Sequence, residues 1–480
     1  MLRFGTSGIR DLAPSRVSAS LAHALGAVLG ATDASWLPGN DHYSSPRTAA
    51  GHSSIHHPIS IGFDGRRSGH MLKSSLASGI MGAGSDVHDL GLCATPTLAL
   101  HSQQAGGWGV MVTASHNPPA YNGLKVFFAG REVPDEWERA IERQLEEVLH
   151  TRSPIKWSSA GAMQQVGREA EDAHLRLLFS HLSPARIRRI RPRVVVDCAN
   201  ASACALMPRL LSAAGCRVEA LNSSPGEPYG RELEPKKETL RALGRAVRRS
   251  RAVLGIAHDG DADRAIVMDE RGVVLGLDAQ LVLAATDYLA RAKGGKQKVV
   301  VSTVESSLSL REACSAAGAH LLITPVGSRY VAAAIRARSA IFGGEPCGEY
   351  IFPGAVGVPD GLMAGLYFTD LVCRMGPLSK LAKSVPAYPM AREKIPCPNE
   401  KKQASMERIE KDWPFFHPSR VDGMRSDLPD GWVLVRPSGT EPYIRITAEG
   451  QGRKGLAERM DAIRSVVERA IRHAKTGKEL

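Results

Sequence analysis

Gly109-Val110-Met111-Val112-Thr113-Ala114-Ser115-His116-Asn117-Pro118 is the stretch on which the reading of this chain turns. Its first four residues make a short apolar run of the kind that forms a buried strand, and Asn117-Pro118 closes the turn that follows. The hydroxyl of Ser115 is thereby set at the mouth of a strand, where a serine able to carry a phosphoryl group belongs. Alone, these residues also describe a plain strand-end turn. Three distant companions add weight: Asp259-Gly260-Asp261-Ala262-Asp263-Arg264, Gly344-Glu345-Pro346-Cys347-Gly348, and Arg436-Pro437-Ser438-Gly439-Thr440-Glu441-Pro442. Together they offer a nucleophile, a cluster of metal-ligating carboxylates, an acceptor for hydroxyl or amine donors, and an anion cradle.

Outward from Ser115, short apolar and β-branched runs predict strands at 59–63, 109–112, 193–196, 252–256, 299–301 and 321–323. Helical patterns lie between them. One at 135–149 follows Pro134, begins with acidic residues and places Trp137, Ile141, Leu145 and Val148 on one face. This alternation is the βαβ rhythm of α/β domains. The last hundred or so residues differ, with strands at 432–435 and 443–448 around a tight loop and a long helix at 454–474, which predicts a separate α+β domain. Residues 31–60, rich in Ser, Gly, His, Pro and Asn, read as a long exposed loop, and 386–399, with four prolines, as a connection into the last domain.

With 480 residues the chain suits roughly three or four units of about 100–200 residues each. At 43% hydrophobic and 23% charged residues it is neither disordered nor fibrous. A formal charge of +12 suits an anionic small molecule as well as nucleic acid. The most basic stretches, 186–193 and 241–251, have no interleaved aromatics on which bases could stack, so they read as solvated surface, the second as a helix with a cationic outer face. Eight cysteines without a Cys-x-x-Cys pair suggest neither a zinc site nor a disulfide framework. With no secretory core near the amino terminus and no run approaching the ~18 apolar residues of a membrane span, a reducing cytoplasm without membrane attachment is expected.

The ordered set of Gly5-Thr6-Ser7-Gly8-Ile9-Arg10 with the four motifs above resembles the α-D-phosphohexomutase family, which includes phosphoglucomutases, phosphomannomutases and phosphoglucosamine mutases. The resemblance spans nearly the whole chain. It implies a four-domain α/β architecture around a central cleft: three similar mixed α/β domains at 1–153, 154–271 and 272–384, then a C-terminal α+β domain at 385–480. It also implies proton-transfer or charge-balancing roles for His116 and Lys125, and a charge from Arg10 near the reacting phosphate. A phosphoserine at Ser115 and a hexose bisphosphate activator follow from the same resemblance.

The residues support this chemistry on their own terms. Moving a phosphoryl group between two oxygens of one sugar requires a carrier that can lend and recover it, and a serine phosphate does so when a divalent ion neutralises its oxygens. Asp259, Asp261 and Asp263 offer carboxylates at alternate positions to one Mg²⁺, with Ser115 as a further ligand. A calcium EF-hand reading, with Glu270 at position 12, fails because Arg264 stands where the sixth position needs glycine. Arg264 is expected to meet the phosphate. Arg436, Ser438, Gly439 and Thr440 form a cradle for the phosphate that is not reacting.

Several residues depart from the family pattern. Glu345 is the expected acceptor for two sugar hydroxyls or an amine, but Cys347 stands where serine is usual and Glu349 where histidine is. The Gly-Glu-Pro-Cys-Gly form resembles an archaeal-type branch assigned to phosphoglucosamine mutases, and the extra carboxylate of Glu349 is expected to favour an ammonium-bearing sugar. Ser328, after Gly327, replaces a common aspartate or histidine near the sugar. Phe63, in Gly62-Phe63-Asp64-Gly65-Arg66, replaces an arginine and is expected to alter a domain contact.

The expected protein is therefore a Mg²⁺-dependent mutase acting on a hexose phosphate, monomeric or homodimeric, with glucosamine phosphate as preferred substrate. Broad glucose or mannose phosphate specificity remains open. So do a sugar phosphatase and a basic nucleic-acid-binding protein, although no nucleic-acid partner is expected.

Overall fold

The computed structural model describes residues 4–5, 8–31, 37, 57–148, 159–226, 228–292, 298–439 and 441–474. Thr6, Ser7, Thr440, most of the 31–60 loop and the expected boundary near 153 lie outside the described residues. The chain divides into two compact units, Met1–Leu275 with Cys347–Leu381, and Gly276–Pro346 with Ala382–Leu480.

The first unit begins with a seven-stranded sheet. Strand Ile59–Phe63 lies in parallel between Val87–Leu92 and Trp108–Val112, and Trp108–Val112 runs antiparallel to Tyr121–Phe128, which in turn pairs with Ile9–Leu12. Helices Ala19–Gly30 and Gly69–Gly82 cover it, and their close approach depends on glycine: a Cβ on Gly79 would stand 2.0 Å from the His23 carbonyl oxygen. Helix Asp135–Val148 carries Asp135, Glu136 and Glu138 in its first turn, where they favour the positive end of the helix, and buries Trp137, Ile141 and Leu145. Phe63 is buried in this core, its ring centroid 4.5 Å from that of His70.

A second sheet orders Ile266–Met268, Leu254–Ala257, Arg193–Asp197 and Arg217–Leu221, the last three parallel. The basic stretches lie on helices Ala185–Ile190 and Arg241–Ser250, whose arginines are exposed while Ile187, Leu243 and Val247 are buried. Asp360 caps helix Gly361–Met375, which packs Gly365 against Met207 and Ile256.

In the second unit Val299–Thr303 pairs in parallel with His320–Thr324 and Phe342–Glu345. An antiparallel sheet then orders Met390–Pro396, Tyr443–Gly450, Gly431–Pro437 and Met424–Leu428, and Arg453–His473 covers it with Met460, Ile463 and Val467 in the shared core. Met390–Pro396 corrects the reading of 386–399 as a connection. It is an edge strand whose only internal proline stands at its end, where a missing N–H costs least. The two parts of this unit are joined by Glu449, whose Oε2 accepts bonds from Trp432 Nε1 and the Leu308 N–H, each at 2.6 Å. All eight cysteines are free, and among the described residues no helix is long and apolar enough to cross a membrane.

Candidate active site

Ser115 follows strand Trp108–Val112 with a φ of 49°, a left-handed conformation that costs a non-glycine residue about 1–2 kcal/mol. The surrounding contacts enforce it. The Ser115 N–H donates to Thr113 Oγ1 at 2.8 Å, Thr113 Oγ1 donates to Asp64 Oδ2 at 2.7 Å, and Arg66 Nε donates to the same carboxylate oxygen at 2.9 Å. The rest of the Arg66 guanidinium reaches the turn itself: Nη2 donates to the carbonyls of Ser115 and Asn117, and Nη1 to those of Pro118 and Tyr121, all at 2.7–2.9 Å. Arg66 is wholly buried, and its planar fork of donors suits this task better than an ammonium group would.

The acidic triplet turns immediately beyond strand Leu254–Ala257, at the carboxyl end of a parallel strand, where α/β sheets commonly bind ligands. Gly260 is required there, because a Cβ would stand 2.4 Å from the Ser115 carbonyl oxygen. Ligand oxygens of Asp259, Asp261 and Asp263 lie within 4.8 Å of one another, and all three residues are buried. Ser115 Oγ donates to Asp259 Oδ2 at 2.6 Å. Thr95, at the start of helix Thr95–Ala105, donates its N–H and Oγ1 to the carbonyl and carboxylate of Asp261 at 2.9 and 2.7 Å. Asp261 Oδ1 and Asp263 Oδ1 are buried without a hydrogen-bond partner among the described residues. Burial and then the Asp261 charge push Asp259 up to about 7, and Asp263 is also raised, by burial, Asp261 and Asp259. Burial acts the same way on Asp261, but Lys125, Arg10 and the bond from Thr95 outweigh it and hold Asp261 low. Three crowded, buried carboxylates with unpartnered oxygens are the donor set of a hard divalent cation, and the site fits one.

Lys125 Nζ sits 3.1 Å from Glu132 Oε1 and 3.5 Å from Asp263 Oδ2. Burial opposes its charge, but Glu132 and Asp263 outweigh burial and raise its pKa, so it remains an ammonium. His116 is the opposite case: burial, then Arg264 and Arg10, push the ring down to about 3, which keeps the imidazole neutral with Nδ1 3.3 Å from Ser115 Oγ. Arg10 lies on strand Ile9–Leu12, and its buried Nε has no partner among the described residues. Arg264 is held by a carboxylate: its Nε and Nη2 both stand 3.0 Å from Glu349 Oε1, and a backbone bridge joins the same two residues.

The remaining site residues fall in the second unit, apart from Cys347, which begins the returning segment of the first. Glu345 Oε2 accepts the Gly327 N–H at 3.2 Å, and Ser328 opens helix Ser328–Arg338, 8% exposed. Arg436 lies between two carboxylates, Nη1 at 3.1 Å from Glu305 Oε1 and Nη2 at 2.8 Å from Asp422 Oδ2. Asp422 also accepts the Val326 N–H at 3.0 Å, which ties the Arg436 turn to the Gly327 loop. Ser438 Oγ accepts the Glu441 N–H at 3.1 Å, and around Gly439 an added Cβ would meet nothing within 4 Å. Lys402 Nζ donates to the carbonyls of Ser438 and Glu441.

Within the first unit the structure thus gathers Ser115, His116, Lys125, Arg10, Arg264 and the three aspartates, and within the second it groups Gly327, Ser328 and Glu345 beside the turn of Arg436, Ser438 and Gly439. Sequence reasoning missed Arg66, Thr95 and Lys402 as supports. The only local signal was the short spacing of Asp64 and Arg66 after a strand.

The sequence matches four models described as "Phosphoglucomutase/phosphomannomutase": alpha/beta/alpha domains I, II and III over residues 1–152, 173–272 and 278–388, and the C-terminal domain over 393–466. A curated relative from Thermococcus kodakarensis, named "Probable phosphoglucosamine mutase", is 37% identical over 477 residues, covering 98% of this chain and 99% of its own. One of the same name from Methanothermobacter thermautotrophicus is 40% identical over 405 residues, covering 82% and 86%. Among solved structures, a phosphoglucomutase/phosphomannomutase family protein from Burkholderia thailandensis superposes with a TM-score of 0.80 at 24% identity, covering 98% of both chains, a likeness of fold. By its four consecutive domain matches and its full-length relatives, the chain belongs to the phosphoglucomutase/phosphomannomutase family.

Proposed function

We propose that this protein is a Mg²⁺-dependent phosphohexomutase that interconverts glucosamine 6-phosphate and glucosamine 1-phosphate through a phosphoserine at Ser115. The observation that carries the reading is Ser115 Oγ bonded at 2.6 Å to Asp259 inside a buried carboxylate triplet with two unpartnered oxygens. The amino sugar is favoured over glucose and mannose phosphates because relatives aligned over nearly the full chain carry the name phosphoglucosamine mutase.

Asp259, Asp261 and Asp263, with an oxygen on Ser115, would hold Mg²⁺, which supplies positive charge to the phosphoryl oxygens. The chain's own residues do the rest. In the first transfer the Ser115 Oγ–P bond breaks as a bond forms from phosphorus to the free sugar hydroxyl. One proton passes from that hydroxyl to Ser115 Oγ, and neutral His116, 3.3 Å from Oγ, is placed to relay it. Arg10 and the charged Lys125 balance the anionic phosphoryl group, and Arg66 keeps the Ser115 turn fixed while its charge changes. The resulting hexose bisphosphate turns over and returns its other phosphoryl group to Ser115, regenerating the carrier. Arg436, Ser438, Gly439 and Thr440 grip the phosphate that is not reacting, Arg436 exchanging Glu305 or Asp422 for phosphate oxygens. Glu345, Gly327 and Ser328 contact the sugar, and a hexose bisphosphate loads a dephosphorylated Ser115. Domain divisions near 153, 271 and 384 give each motif its own domain.

³¹P NMR of the protein with Mg²⁺ and a trace of glucose 1,6-bisphosphate tests this. Interconversion of the two glucosamine phosphates, faster than that of glucose or mannose phosphates, is the expected result. Release of inorganic phosphate without isomerisation would contradict it.

A further inference from the structure

Glu349 is buried to 8% exposure, and Arg264 is bonded to Oε1 of its carboxylate. Both Arg264 donors converge on Oε1, each at 3.0 Å. The residue is fixed beside the reacting centre. The Arg264–Glu349 backbone bridge and the Ala265 N–H bond to the Gly348 carbonyl at 3.0 Å clip it to the end of the acidic loop, and the Arg264 N–H faces Asp259 Oδ1 at 3.4 Å. Asp259 is the carboxylate that holds Ser115 Oγ.

In an amino sugar 1-phosphate the ammonium group and the phosphate-bearing oxygen sit on adjacent ring carbons. Whenever Ser115 exchanges a phosphoryl group with that oxygen, the ammonium sits on the ring carbon next to the one that bears it. We propose that Glu349 is a specificity-determining residue whose Oε2 accepts the C2 ammonium of the sugar while Oε1 stays on Arg264. This inference rests on the mutase reading. The carboxylate forms an ion pair as well as a hydrogen bond with an ammonium, but takes only a neutral donor from a hydroxyl, so the same position discriminates glucosamine from glucose without excluding glucose.

The test compares glucosamine 1-phosphate with glucose 1-phosphate in the wild-type protein and in Glu349→Gln, whose amide oxygen can still accept from Arg264. The inference expects kcat/KM for the amino sugar to fall about tenfold more than for glucose, the difference between a charged and a neutral hydrogen-bond partner. An equal fall for both sugars overturns it and leaves Glu349 only as a support for Arg264. Should the variant not fold, the wild-type protein decides through 2-deoxyglucose 1-phosphate: turnover equal to that of glucosamine 1-phosphate overturns the inference, and a preference of at least tenfold for the amine supports it. Wild-type protein that isomerises none of these sugars overturns the mutase reading itself, whereas isomerisation of all at equal rates overturns only the role of Glu349.

Discussion

Arg66 uses its guanidinium to hold Asp64 and four carbonyls of one turn, and it does so from a wholly buried position. Replacing it by methionine leaves the Asp64 charge and those carbonyls unpaired in the interior. Arg66→Met is therefore expected to lose about 3–5 kcal/mol of stability in urea unfolding, with activity falling as the Ser115 turn relaxes. Ser115 itself was legible because Asn117-Pro118 ends a strand beside a single hydroxyl, and the aspartates because their alternation suits one cation. Arg66 was not legible. Apart from Asp64, its partners lie 49–55 residues away and are main-chain oxygens, which carry no side-chain signature. Thr95 escaped because the Asp261 carboxylate that it bonds lies 166 residues away.

At the scale of elements, two loops meet at a point where only glycine fits. Gly260→Ala would bring a Cβ to 2.4 Å from the Ser115 carbonyl oxygen and force the acidic loop away from the serine. Misplacement on the order of 1 Å between a nucleophile and its partners can cost about a hundredfold, so kcat is expected to fall by about that factor while far-UV circular dichroism stays unchanged. Helix Lys402–Lys411 supports the turn after Arg436 through the bonds of Lys402 Nζ to the Ser438 and Glu441 carbonyls. Lys402→Met is expected to raise KM for sugar phosphates about tenfold by loosening these charge-assisted bonds, with kcat changed far less, as steady-state kinetics would reveal. The elements themselves were largely legible from apolar runs: 59–63 agrees at both ends, and the others shift by one to a few residues. Residues 390–396 were misread because prolines at 386, 389, 396 and 398 punctuate the segment, while pairing of the strand to Tyr443–Gly450 is decided by chain some fifty residues later.

Across the whole molecule, the family signature is spread over motifs that the two units hold separately, and this is why no single stretch identified it. The buried triplet also couples cation binding to folding, since an unfolded chain offers no such site. Mg²⁺ at a hundred times its Kd is expected to add about 2.7 kcal/mol to the stability of the structure that binds it, seen as a rise in Tm that EDTA reverses. Asp263→Asn should abolish the rise. Glu349 was legible as an extra carboxylate, but its bond to Arg264 joins residues 85 positions apart.

The most direct measurement is phosphopeptide mapping of the protein after incubation with Mg²⁺ and glucose 1,6-bisphosphate, before and after a chase with glucosamine 6-phosphate. The account predicts phosphate on Ser115 that the chase removes, with glucosamine 1-phosphate as product. A Ser115 that never acquires phosphate, or loses it only to water, would contradict the account.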